Sequence, residues 1–93
     1  MPVTSRGLTE IDVATAPAFL AEMCEAIDQA DNRAVVIDCS PITFMDSGAI
    51  HALRAAHNYA VEHDHVFVVR GLAENCQRVL RICDPRNEIA IEP

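Results

Sequence analysis

The sequence predicts an α/β domain built on a mainly parallel four-stranded sheet with three crossover helices, and three observations carry that prediction. Two continuous apolar runs, Ala34-Val-Val-Ile37 and Val66-Phe-Val-Val69, have the composition of parallel strands covered on both faces. Stretches with helical spacing lie between and around them. The resulting order, β-α-β-α-β-α-β, returns each strand to the sheet through a crossover, and crossovers of this kind build parallel sheets. A chain of 93 residues has room for one core, so residues 1–93 are expected to form one domain.

Each element follows from local chemistry. Pro2 to Leu8 is a weak opening strand at a sheet edge, where proline is tolerated. Thr15 is placed to cap a helix whose first turn holds Pro17 and which runs to about Gln29. Leu20, Met23 and Ile27 give that helix its apolar stripe, and Glu22, Glu25 and Asp28 its wet face. Arg33 to Cys39 is the strongest strand, and Pro41 interrupts any ladder after it. Asp46-Ser47-Gly48 combines capping side chains with a flexible residue and opens a second helix to about Glu62. His65 to Arg70 is the next strand, ended by Gly71. Ala73 to Cys83 is the third helix, with Leu72, Cys76, Val79, Leu80 and Cys83 in one stripe, and Asp84-Pro85 stops it. Glu88 to Glu92 alternates as a closing strand. Aromatic residues make up only 4% of the chain, so the core has to be assembled from aliphatic side chains.

Seven basic residues against fourteen acidic ones give a formal charge of −7, which excludes the basic footprint that nucleic acid binding needs. A partner with a basic surface is favoured instead. No apolar run reaches the length of a membrane span, and the first residues lack the apolar stretch of a signal peptide. The expected location is the cytoplasm, without membrane insertion. In that compartment Cys24, Cys39, Cys76 and Cys83 are expected as reduced thiols, most of them in the core. Cys39 precedes the polar turn and Cys76 begins the third helix, so a redox switch between these two is the functional alternative to core packing. Cys76 and Cys83, seven residues apart on one helix, are roughly 10 Å apart and cannot pair without unfolding it.

The second helix carries two stripes of low polarity. Ile50, Leu53, His57, Ala60 and Val61 form a core-facing series. Ala49, Ala52, Ala56 and Tyr59 lie on another face, small and uncharged, and are expected to form an exposed surface on which another protein docks, since interface cores are depleted in charge and enriched in tyrosine. Alanine is also a good helix former at exposed sites, which is the plainer account of the same residues. Nothing in the chain resembles a nucleophile elbow or a glycine-rich phosphate loop, and His51, His57, His63 and His65 lack the paired spacing of a metal-binding helix. The expectation is a non-enzymatic protein without cofactor or metal.

The segment Val35-Val-Ile-Asp-Cys-Ser-Pro-Ile-Thr-Phe-Met-Asp-Ser-Gly-Ala-Ile50 resembles the signature of STAS domains, in which a strand ending in Asp is followed by a hydrophobic turn and by Asp-Ser-Ser-Gly or a close variant opening a helix. Glu10-Ile-Asp-Val-Ala-Thr-Ala-Pro17 is similar to the family's segment before its first helix, with Thr9 in place of a glycine. The family usually has two strands before that helix, whereas this chain has space for one. Within the family the chain is most similar to anti-sigma factor antagonists. The resemblance implies that it binds an anti-sigma factor that is also an ATP-binding Ser/Thr protein kinase, freeing a sigma factor for transcription. It also implies that the turn before the second helix is both docking surface and phosphorylation site. A phosphate there adds roughly −1.5 to −2 charge beside Asp46 and opposes binding. Aligned without a gap, Gly48 falls where the family carries its phosphorylatable Ser or Thr, and Ser47 substitutes only through a one-residue shift, which re-aims the hydroxyl by about 100° on a helix. Asp12, Asp46, Ser47 and Gly48 complete the expected contact surface. A second branch, the STAS subunits of bacterial lipid-transport ABC complexes, has Asp-Thr-Gly in this turn and implies docking on an ATPase.

Overall fold

The computed structural model describes residues 3–4 and 9–92. Six strands and three helices follow one another as β1 (Val3–Thr4), β2 (Glu10–Ile11), α1 (Ala16–Gln29), β3 (Ala34–Asp38), β4 (Phe44–Met45), α2 (Ser47–Glu62), β5 (Val66–Arg70), α3 (Glu74–Cys83) and β6 (Ala90–Glu92). The main sheet has the order β1-β3-β5-β6 and is parallel throughout, as the apolar runs and the alternation of elements require. β1 lies at its edge, where the opening segment is expected; the rest of that segment lies outside the described residues. Two strands, not one, precede the first helix. The second of them, β2, leaves the main sheet and pairs in parallel with β4, Glu10 opposite Phe44 and Ile11 opposite Met45.

Alternation along the strands separates two faces. Val35, Ile37, Phe67 and Val69 are buried against the helices, together with Phe19, Met23 and Ile27 of α1, Ile50, Leu53 and Ala60 of α2, and Cys76 and Leu80 of α3. α1 packs on α2 and α2 on α3, so the three helices form one layer on one side of the sheet. The side chains between the buried ones, Ala34, Val36, Val66, Val68 and Ala90, point the other way and are exposed or half-buried. This corrects the expectation that the central strands are covered on both faces: the apolar runs are continuous, but the described helices cover one side.

Three helix details also differ from expectation. Phe19, rather than Leu20, joins Met23 and Ile27 in the core, and Leu20 is half-buried. Val61 is 56% exposed because it falls off the buried arc of α2 near its end. On α3, Cys83 is exposed while Cys76 and Leu80 are buried, as is Leu72 just before the helix. Asp84, which ends α3, is buried, and its Oδ1 accepts from Arg54 Nη2 (3.0 Å) and from the Glu88 N–H (3.2 Å) while its Oδ2 accepts from the Ile89 N–H (3.0 Å). That carboxylate joins α2, the end of α3 and the approach to β6.

Candidate functional site

The β2–β4 pair sets the geometry of the site. Because Ile11 lies opposite Met45, the next residues, Asp12 and Asp46, leave the small sheet side by side, and each closes a turn that leads into a helix. Asp12 Oδ1 accepts from the Ala14 N–H (2.9 Å) and the Thr15 N–H (3.0 Å). Asp46 Oδ1 does the same one helix later, accepting from the Gly48 N–H (2.8 Å) and the Ala49 N–H (3.2 Å). The Asp46 bonds satisfy amides that a helix start leaves without an intrahelical partner, whereas Asp12 closes the turn just before α1, its partners being the amides of Ala14 and of Thr15 at the N-cap position. Thr15, expected to cap α1, has no such bond. Its hydroxyl instead donates to the Glu10 carbonyl (3.0 Å) and accepts from the Asp12 N–H (2.9 Å), and the residue two positions into the helix is Pro17, which has no N–H to offer a cap. The amides that bond it, that of Thr15 first, outweigh a partial desolvation and hold the Asp12 carboxyl below the usual carboxylate range. Further bonds join the two turns: the Thr43 N–H and hydroxyl both donate to the Thr9 carbonyl (2.7 and 3.1 Å), and the Asp46 N–H donates to the Ile11 carbonyl (3.2 Å).

Between the starts of α1 and α2 lies a cleft of ≈ 320 Å³ lined by Val13, Ala16, Pro17, Leu20, Gly48, His51 and Ala52. Val13 projects beside it, 75% exposed. Ser47, the first residue of α2, is exposed at the cleft's end of the molecule, and Gly48 is half-buried below it. A Cβ on Gly48 would stand 3.1 Å from Asp46 Oδ1 and 3.3 Å from both Cα and Cγ2 of Val13. The two turns therefore approach each other closely at a residue that lacks a side chain.

The structure gathers Asp12, Asp46, Ser47 and Gly48 but turns the alanine series inward. Ala49 and Ala56 are fully buried and Ala52 is 5% exposed, so the exposed docking face expected on α2 does not exist in that form. The reason is steric: small side chains let a second helix approach closely, and α1 takes that place. Tyr59 is half-buried and reaches the same helix, its hydroxyl donating to Asp28 Oδ1 (2.6 Å) while its ring stacks on His63 at 4.2 Å. Sequence reasoning passed over Val13, Pro17, Leu20 and His51 as site residues; the signal that could have found them is Val13, an aliphatic residue in a polar turn.

The cysteines are free thiols, and Cys39 and Cys76 are both wholly buried. Burial, with smaller contributions from Asp38 and Cys76, pushes the Cys39 thiol up to about 12, and burial raises Cys76 as well. Redox chemistry proceeds through the thiolate, so this pair is placed as core rather than as a switch. Among the described residues no group of three or more His, Cys, Asp or Glu side chains could hold a metal ion, and no helix is long and apolar enough to cross a membrane.

The family model of the STAS domain matches residues 8–93. The chain belongs to the STAS domain family. STAS proteins include anti-sigma factor antagonists, and the STAS fold is in general regulatory and non-enzymatic and mediates contacts between proteins. No curated protein matches the chain. In this STAS domain the cleft is walled by the first turns of α1 and α2, Ala52 among them, with the Asp12 and Asp46 turns beside Val13 and Gly48 at its end.

Proposed function

We propose that this STAS domain is an anti-sigma factor antagonist that docks an ATP-binding, kinase-type anti-sigma factor at the cleft between the starts of α1 and α2. The observation that carries the reading is the juxtaposition of an apolar cleft with two aspartate-capped turns. Apolar lining supplies burial for a partner side chain, and the surplus of acidic residues in the chain favours a partner with a basic rim. Asp12, Asp46, Ser47 and Gly48 are the contact residues, joined by Val13 and His51.

Phosphate control of this surface differs from the family pattern. Gly48 offers no hydroxyl, and the space above it is taken by Val13, so the hydroxyl available in Asp46-Ser47-Gly48 is that of Ser47. A phosphate there would bring roughly −1.5 to −2 charge next to Asp46 and at the mouth of the apolar cleft, repelling that carboxylate and adding a desolvation cost to any close apolar contact.

A pull-down from the native host with the purified domain as bait tests the reading. Wild type is expected to capture a kinase-type anti-sigma factor, and Ser47→Asp, checked for an unchanged melting temperature, to lose it. Recovery of a transporter ATPase in its place would sink the proposal and make this chain the regulatory subunit of a lipid-transport complex.

A further inference from the structure

A parallel sheet normally has both faces covered, because its strands are apolar on both sides, and here no described helix covers the second face. Its residues form ordered rows fixed by the register: Ala34 beside Val66, Val36 beside Val68 and Ala90, then Asp38 beside Arg70 and Glu92. The first two rows are wholly apolar, and Val66 is 44% exposed. The third row alternates in sign across the strands. Arg70 helps to hold the Asp38 carboxyl below its ordinary range, after the larger effect of the Ser40 amide and hydroxyl, while Arg70 Nε is shielded from water with no hydrogen-bond partner among the described residues.

We infer that this face is closed by a second copy of the same chain, sheet against sheet, about a two-fold axis that runs along the strands between β3 and β5. That axis lies midway between the two sheets, over the middle of each, so β3 lies over the partner's β5 and β5 over its β3. Asp38 then faces the partner's Arg70, and Arg70 the partner's Asp38. Val36 faces the partner's Val68 and Ala34 the partner's Val66, a small side chain against a larger one. The charge complementarity is a property of the register itself: the two central strands carry opposite charges at the same level, and the rotation exchanges them. Sheets packed this way stand about 10 Å apart with strands within about 30° of each other. The same rotation places the helical layers, and with them both α1–α2 clefts, on the outside of the pair.

The contact is small. The four strands hold two, five, five and three residues, which at the usual spacings cover roughly 240 Å² per copy, or about 480 Å² in all, well under half of the roughly 1,200 Å² at which stable interfaces begin. The dimer is therefore weak and concentration-dependent, and dissociates on dilution.

Sedimentation equilibrium from low-micromolar to millimolar protein tests it. Wild type is expected to pass from monomer to dimer. Arg70→Glu leaves the two central positions both acidic and Asp38→Arg leaves them both basic, so each variant alone should remain monomeric, and an equimolar mixture should regain the dimer because every facing pair is again opposite in sign. Should Asp38→Arg fail to fold, Val66→Lys, at an exposed position, is expected to abolish the wild-type association with an unchanged far-UV circular dichroism spectrum. A wild type that stays monomeric across the range overturns the inference, as does a dimer that survives Arg70→Glu and Val66→Lys.

Discussion

Asp84 is the buried charged side chain of the described fold, 2% exposed, and it shows how one carboxylate replaces several weaker links. Burial alone would raise its pKa, but the Ile89 and Glu88 amides and the Arg54 guanidinium outweigh that and hold the group below the ordinary carboxylate range. The native state thus binds fewer protons than the unfolded chain. The resulting stability is complete above the unfolded value near 4 and is lost as pH falls through the folded one, and the lowered Asp12 and Asp38 act in the same direction. Asp84→Asn is expected to cost about 3 kcal/mol at neutral pH, since it leaves Arg54 and an amide poorly matched. Thermal melts across the acid range check this: the variant's Tm should fall less steeply with acid than that of wild type. Gly71 is a second single-residue constraint. Its φ of +74° and the 2.9 Å that would separate an added Cβ from the Ser40 side chain make Gly71→Ala unfavourable by about 2 kcal/mol, to be read as a lower urea midpoint at constant m. Gly71 was legible in the sequence as the end of a strand. The role of Asp84 was not, because its three partners come from positions 54, 88 and 89 and become neighbours only through the fold.

At the scale of elements, periodicity located all three helices and the strands β3 and β5 to within a residue or so of their bounds. It failed on β2 and β4, which are two residues each and too short to alternate; they exist because Thr9 and Thr43, and then Ile11 and Asp46, bond across a gap in sequence of more than thirty positions. It also failed on which way α2 faces. An alanine stripe is compatible with solvent, with a partner protein or with a neighbouring helix, and only the position of α1 decides among them. Ala56→Glu is accordingly expected to cost about 3 to 5 kcal/mol, because it forces an unpaired carboxylate into the α1–α2 contact. Circular dichroism should show a largely unfolded or strongly destabilised protein, whereas retention of the wild-type melting temperature would mean that the two helices separate easily.

At the scale of the whole molecule, the parallel sheet, its crossovers and the family were all carried by the sequence, because strand composition, helix spacing and the Asp-Ser-Gly turn act locally. The one-sided covering of the sheet was not. A valine run reads the same whether its outer face meets a helix layer, a second copy or water, and layer assignment depends on the order β1-β3-β5-β6, which no single segment contains. That order also governs how the chain reaches its native state. Strands that pair directly are separated by more than thirty positions for β1 with β3 and β3 with β5, and by more than twenty for β5 with β6, so no ladder can zip from a tight hairpin. Every pairing must wait for a long loop to close, and a chain of this size should therefore refold more slowly than a helical bundle of equal length, with its valine-rich strand edges unpaired until α1 and α2 have come together.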